Sequence, residues 1–328
     1  MRLRSALVPA LVLAVACGGA ALEVPSVQDA GADAPNDVNV AISDAAATGS
    51  DAAAPVDAAD AAKVDAAEAG APADDHEILY ISNVDNHVWK VRPDGTDPVD
   101  LQGVPAGAVG NTVGWAVGRT KVLFDYLQDP DRKIAMMNSD GTGLAVLPVV
   151  GAQPVMSNGR IFFLKEQFAP KHIYSIDPSG LNEVPLTLTM AGTQTNPCVS
   201  SDGKRLAFDS SASIYVMPSD GSTPPVAVVA PTSFMPVWSP DGKRLAFVRA
   251  SGADGDVVVA DADGSNELAV TTGANPDFQP SWSGDGARLV FSRRRPVAGG
   301  STFDLYTVKT DGTRAAKIVT DGRSPSWY

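Results

Sequence analysis

From residue 76 onward the apolar residues fall in short runs of three to five, separated by clusters of Pro, Asp, Gly and Ser. Runs this short, bounded by turn residues, predict strands and not helices. The clearest stretch is Pro236 to Phe247, P-V-W-S-P-D-G-K-R-L-A-F. Ser239-Pro240-Asp241-Gly242 is a turn: proline presets φ, aspartate bonds back to the backbone, and glycine accepts positive φ. Lys243-Arg244 sit at its polar mouth, and Leu245 to Val248 form a buried strand. Asp256 to Ala260 is a third strand, Asp263-Gly264 a second hairpin turn, and Glu267 to Val270 a fourth strand. Four strands joined by tight turns make a meander, the unit of a propeller blade.

The pattern recurs. The second-strand anchor appears as Ile78-Leu79-Tyr80, Val122-Leu123-Phe124, Ile161-Phe162-Phe163, Leu206-Ala207-Phe208, Leu245-Ala246-Phe247 and Leu289-Val290-Phe291. The steps from Tyr80 to Phe291 are 44, 39, 45, 39 and 44 residues. The turn between third and fourth strands keeps the same register at Asp94-Gly95, Asp140-Gly141, Ser179-Gly180, Asp220-Gly221, Asp263-Gly264 and Asp311-Gly312. First strands are marked by Trp115, Pro154 with Met156, Pro197 with Val199, Pro236 with Trp238, and Pro280 with Trp282. The unit at Ile78 has no first strand before it, whereas the chain ends in Pro325-Ser326-Trp327-Tyr328, a first strand alone. The expected fold is therefore an all-β, six-bladed propeller of four-stranded antiparallel blades. Its C-terminal strand completes the first blade and removes the free sheet edges. The tryptophans at one inner-strand position are expected to pack between blades.

These residues resemble the WD40-like (PD40) repeats of the TolB-type six-bladed propellers, whose signature is close to P-x-W-S-P-D-G-x-x-[IL]-A-F. The match is nearly complete at Pro236 to Phe247, good at Pro197 to Phe208 and Pro280 to Phe291, and degraded in the first three blades. It covers about residues 76–328. The resemblance implies a bacterial cell-envelope protein. In TolB an α/β domain precedes the propeller, and here another kind of segment takes that place.

The segment before the repeats changes the picture. Met1 to Ala16 carries Arg2 and Arg4 and then an apolar run, as expected of a signal peptide over 1–16. Ala14-Val15-Ala16-Cys17 resembles a bacterial lipobox with Cys17 as the lipidated residue; ordinary cleavage after Ala16 would leave Cys17 a free thiol. Both readings export the protein. Residues 18–75 are nearly all Ala, Asp, Gly, Pro, Ser and Val, without an aromatic. Such a segment cannot bury enough apolar surface to offset its ordering entropy. The sequence therefore predicts a lipidated Cys17 followed by a disordered linker to residue 75, reaching about 40–45 Å as a flexible coil.

Charge follows the same partition. The tract holds twelve acids and one lysine and the signal two arginines, which leaves −4 of the total −13 for residues 76–328. That balance argues against nucleic acid as a partner and limits membrane contact to the N-terminal lipid. Only Cys17 and Cys198 are present. With Cys17 lipidated no internal disulfide forms, and Cys198 is expected to be a small buried residue.

Catalytic signatures are missing. The sequence has no G-x-S-x-G elbow, P-loop or dinucleotide fingerprint. The three histidines, His76, His87 and His172, are scattered, and Asp254, Asp256, Asp261 and Asp263 lack the spacing of a calcium loop. The residues thus point to no cofactor, no metal and no catalysis. Recognition is expected on the variable second-to-third-strand and blade-to-blade connections, with Tyr126, Phe168 and Arg293-Arg294-Arg295 as the candidate binding face. The reading is an exported, lipid-anchored propeller that binds an envelope protein or polymer. Two alternatives stay open: a hydrolase or lyase acting on polysaccharide through a carboxylate pair in the channel, and a small-molecule or metal-binding sensor.

Overall fold

In the computed structural model the described residues are 76–328, except 106, 117, 129–130, 166–168, 230, 252–253 and 328. The signal peptide, Cys17, the linker and Phe168 lie outside them. Every described element is a strand, and the strands form six four-stranded antiparallel sheets. Each sheet is one blade. Blade 2 begins at Val109–Ala116, blade 3 at Ala152–Ser157, blade 4 at Gln194–Val199, blade 5 at Ser233–Trp238 and blade 6 at Asp277–Trp282. In blade 1 the inner strand is the C-terminal Gly322–Ser326, paired with Ile78–Ser82, then Val88–Val91 and Val99–Asp100. The ring is closed as the repeat pattern requires.

The S-P-D-G turn owes its sequence to a local hydrogen-bond set. Ser239 Oγ donates to Asp241 Oδ1 and accepts the Arg244 amide, while Asp241 Oδ1 also takes the Lys243 amide. Ser200 with Asp202 and Ser283 with Asp285 repeat it. At the other turn Asp94, Asp140, Asp220, Asp263 and Asp311 each accept the amide two residues on. In blade 3, where Ser179 replaces the aspartate, Asp177 two residues earlier takes over and caps Ser179 and Leu181.

Apolar side chains fill the seams between blades. Leu245, Phe247, Trp282, Leu289 and Phe291 share one cluster, and Ile78, Tyr80, Val290, Leu305 and Trp327 close the seam between blades 1 and 6. The repeated tryptophan does more than pack. Arg205 of blade 4 lies over Trp238 of blade 5 at 4.3 Å and donates to Gly242 O at 2.5 Å. Arg244 repeats this on Trp282 at 4.7 Å, with Gly286 O at 3.1 Å. In blades 4 and 5 the arginine after the turn thus latches onto the next blade's tryptophan and turn, a cation–π contact reinforced by a hydrogen bond. Where Val199 replaces the tryptophan in blade 4, Arg160 instead bonds Ser175 and Asn182 within its own blade.

Every inner strand carries a register shift. In five of them a non-glycine residue takes positive φ: Gln153, Asn196, Met235, Gln279 and Ser324. That conformation costs about 1–2 kcal/mol per residue, so the freed amides need good acceptors. Three of the five find one across a seam. The Asn196 amide donates to Gln153 Oε1 at 2.9 Å, Met235 to Asp209 Oδ1 at 3.0 Å, and Ser324 to Gln279 Oε1 at 2.8 Å. In blade 2 the Asn111 and Thr112 amides go to Asp125 of the same blade. A belt of buried polar side chains therefore ties the inner strands together.

Candidate functional site

One cavity, of about 280 Å³, opens where inner strands run into their first-to-second-strand turns. Its wall is built by Trp115, Met156, Cys198 and Trp238, with Ser201 and Arg119 at the rim. The repeat places these side chains together, because each blade brings the same strand end to the centre. Arg119 lies over Trp115 at 4.5 Å and donates to the carbonyls of Glu77 and Trp327, so its charge is fixed at the mouth. Cys198 is buried in the seam between blades 4 and 5. No carboxylate or imidazole is among the described lining residues. The site can hold an apolar or aromatic group and offer it one cation and several hydroxyls. It has no acid–base pair.

The cavity lies on the face of short, repeated turns, opposite the variable loops where recognition was expected. On the loop face, Tyr126 is half-buried, tilts against Phe124 in its own blade and packs on the seam of blades 1 and 2. Arg293 holds Asp277 through two hydrogen bonds, of 2.7 and 2.8 Å, and this partner holds its pKa above the ordinary arginine value. Arg295 bridges Asp304 at 2.9 Å and Asp321 at 2.8 Å. Two of the three arginines are therefore committed inside blade 6. Arg294, between them, is half-buried and holds Pro276 O through its backbone amide.

The polar belt contains the most perturbed acid. Burial pushes the Asp209 carboxyl up to about 6, against the pull of Thr195, Met235 and Asn196, which donate to it. Between pH 4 and 6 the folded protein thus holds a proton that the unfolded chain has lost. Stability falls as pH rises through that window and is level above it. The turn acids act in the opposite sense. Hydrogen bonds from Ser and Thr lower Asp94, Asp140, Asp220, Asp263 and Asp311, and bring Asp177 to about 2, so their stabilisation is lost as pH falls below about 4. Asp209→Asn keeps the acceptor oxygen for Met235 and Asn196 and can donate to Thr195. It is expected to fold and to remove most of the slope between pH 4 and 6, about 3 kcal/mol if the full shift is expressed. Urea melts of both proteins at intervals across that range check this; an unchanged slope would assign it to other groups.

A second cluster, Asp85, His87 and Asp100 in blade 1, was not singled out by sequence reasoning. Its members come from a turn and a separate strand, and only the sheet pairing of Trp89 with Asp100 brings them together.

Six four-stranded blades around a central mouth, closed by the C-terminal strand and latched at two seams by Arg–Trp pairs, define a WD40-like propeller. Residues 160–328 match the PD40 family, the TolB beta propeller domain, and the chain belongs to that family. Among solved structures, TolB from Acinetobacter baumannii superposes with a TM-score of 0.68 at 19% identity, over 79% of this chain and 68% of that one. A protein assigned as TolB from Agrobacterium tumefaciens gives 0.58 at 15% identity, over 76% and 90% of the two chains. Hydrazine synthase of Kuenenia stuttgartiensis gives 0.60 at 14% identity, over 76% of this chain and 46% of that one. These likenesses concern the fold, which here hosts unrelated functions. No protein of curated function matches the sequence.

Proposed function

We infer that the protein is an exported propeller, anchored through a lipid on Cys17, that binds an envelope protein or polymer and performs no chemistry itself. The observation that supports binding is the channel mouth: an apolar, tryptophan-walled cavity of about 280 Å³ with one fixed guanidinium and no acid–base pair among its described lining residues. A cavity of that size admits one or two side chains of a partner segment, with Arg119 answering a carboxylate or backbone carbonyl. The polysaccharide-cleaving alternative needs a carboxylate pair. The buried Asp125 and Asp209 are instead committed to bulge amides. Family membership agrees with an envelope setting, and the lipid and linker would hold the disc clear of the membrane.

A photo-crosslinking residue placed at the exposed rim position Ser201, compared with one at Arg294 on the opposite face, tests this in cells. A discrete adduct from Ser201 alone is expected. An adduct from Arg294 alone would move the site to the loop face with Tyr126, Phe168 and the arginines; none from either would overturn the binding reading. In the same cells Cys17→Ser is expected to shift the protein out of the membrane fraction, and unchanged fractionation would refute the lipid anchor.

A further inference from the structure

In blade 1, Asp85 and His87 occupy the turn between the second and third strands, and Asp100 ends the outer strand. One ligand atom of each lies within 4.8 Å of the other two. His87 Nδ1 is 3.1 Å from Asp100 Oδ2. The Trp89 indole N–H reaches both Asp85 oxygens, at 3.4 and 3.3 Å, and the His87 amide donates to Asp85 Oδ1 at 3.0 Å. These donors aim the carboxylate as outer partners aim a metal ligand. Asp100 Oδ1 is buried and has no hydrogen-bond partner, on a side chain only 17% exposed. Two carboxylates this close repel unless a proton or cation joins them. Among the described residues neither is paired with a lysine or arginine.

The repeat supplies an internal control. Leu101 N bonds Val88 O in blade 1, and Leu186 N bonds Ile173 O in blade 3, so His172 stands where His87 does and Pro185 where Asp100 does. There the imidazole meets neutral Gln194 Oε1 at 2.8 Å. A blade therefore closes without the carboxylates, and the repeat does not require the cluster.

We propose that Asp85, His87 and Asp100 form a binding site for a divalent transition-metal ion, with Zn²⁺ the best match. One imidazole and two carboxylates are a mixed nitrogen and oxygen set suited to Zn²⁺, and three protein ligands leave a position open. Ca²⁺ and Mg²⁺ prefer more oxygen ligands and no imidazole. The bound ion also has a structural consequence. The same turn staples the ring: the Asn83 amide donates to Asp321 O at 2.7 Å, Arg323 donates to Asn83 and Asn86 at 3.0 and 2.6 Å, and Asn86 Nδ2 reaches Val109 O at 2.7 Å. An ion holding the turn to the outer strand stiffens the junction of blades 6, 1 and 2. The site is independent of partner binding at the channel mouth.

The test is calorimetric titration of ZnCl₂ into the chain from residue 17 onward, stripped with a chelator, beside thermal melts in Zn²⁺, Ca²⁺ and Mg²⁺. One saturable Zn²⁺ per chain is expected, with a Tm rise that Ca²⁺ and Mg²⁺ do not reproduce. His87→Ala and Asp100→Asn are expected to weaken binding at least tenfold and abolish the Tm rise, while His172→Ala leaves both unchanged. Asp85→Asn, at an exposed position, serves if Asp100→Asn does not fold. Co²⁺ in the parent should give visible absorption bands that His87→Ala lacks. The proposal is overturned by the absence of saturable binding, by equal affinity in His87→Ala (which would assign the ion to the acidic tract), or by an equal response to Ca²⁺.

Discussion

Trp327→Ala is expected to destabilise the propeller by about 3–5 kcal/mol, the range for removing a large buried aromatic, and deletion of residues 322–328 to abolish its cooperative unfolding. Trp327 is completely buried against Ile78, Tyr80, Val91, Val290 and Leu305, at the seam where the two ends of the ring meet. Its amide donates to Ser281 Oγ at 3.0 Å, and Arg119 of blade 2 holds its carbonyl. One residue therefore joins blades 6, 1 and 2. The strand before it pairs with Ile78–Ser82, whose five residues are all buried. Removing the closing strand would expose that apolar strand as an open edge, inviting pairing with other chains. Against a total stability of about 5–15 kcal/mol, the point substitution alone takes a large share. Urea unfolding gives the first number, and size-exclusion chromatography of the deletion variant should show self-association. A deletion variant that melts like the parent as a monomer would show that the ring does not depend on its closure.

Gly264→Ala is expected to cost about 2–5 kcal/mol, strained conformation and overpacking together. Gly299→Ala, at the same φ, is the control, at about 1–2 kcal/mol. Both glycines sit at φ +85, where a side chain is strained. They differ in what a Cβ would meet. At Gly264 it would come within 1.9 Å of Val228 O, on the outer strand of the preceding blade, whereas at Gly299 nothing lies within 4 Å. The difference between the two variants in chemical denaturation thus measures how tightly the outer turns press on the neighbouring blade. Equal losses would mean that the seam yields freely and that φ alone requires the glycine.

Six Asp-Gly or Ser-Gly turns, six aromatic anchors and an orphan first strand are features read within a few residues of one another. They carry the blade count and the closure because each turn satisfies its own hydrogen bonds locally and each blade repeats one meander. The arginines show the limit of that reading. Arg293-Arg294-Arg295 looks like an exposed basic run along the chain, yet Asp277, Asp304 and Asp321 reach two of the three from neighbouring strands and turns. Tyr126 likewise lies against its own blade.

What the chain determined by itself was the six-bladed ring and the turn chemistry, since both rest on contacts between near neighbours and on a period that any copy displays. The tertiary structure alone decided which arginine latches onto which tryptophan, where the bulge amides of the inner strands find Gln153, Asp209 and Gln279, on which face the cavity opens, and that Asp85 and His87 meet Asp100. Most of these pairings join residues 13 to 45 positions apart. They depend on how strands register and how blades abut, geometry that a linear pattern does not encode.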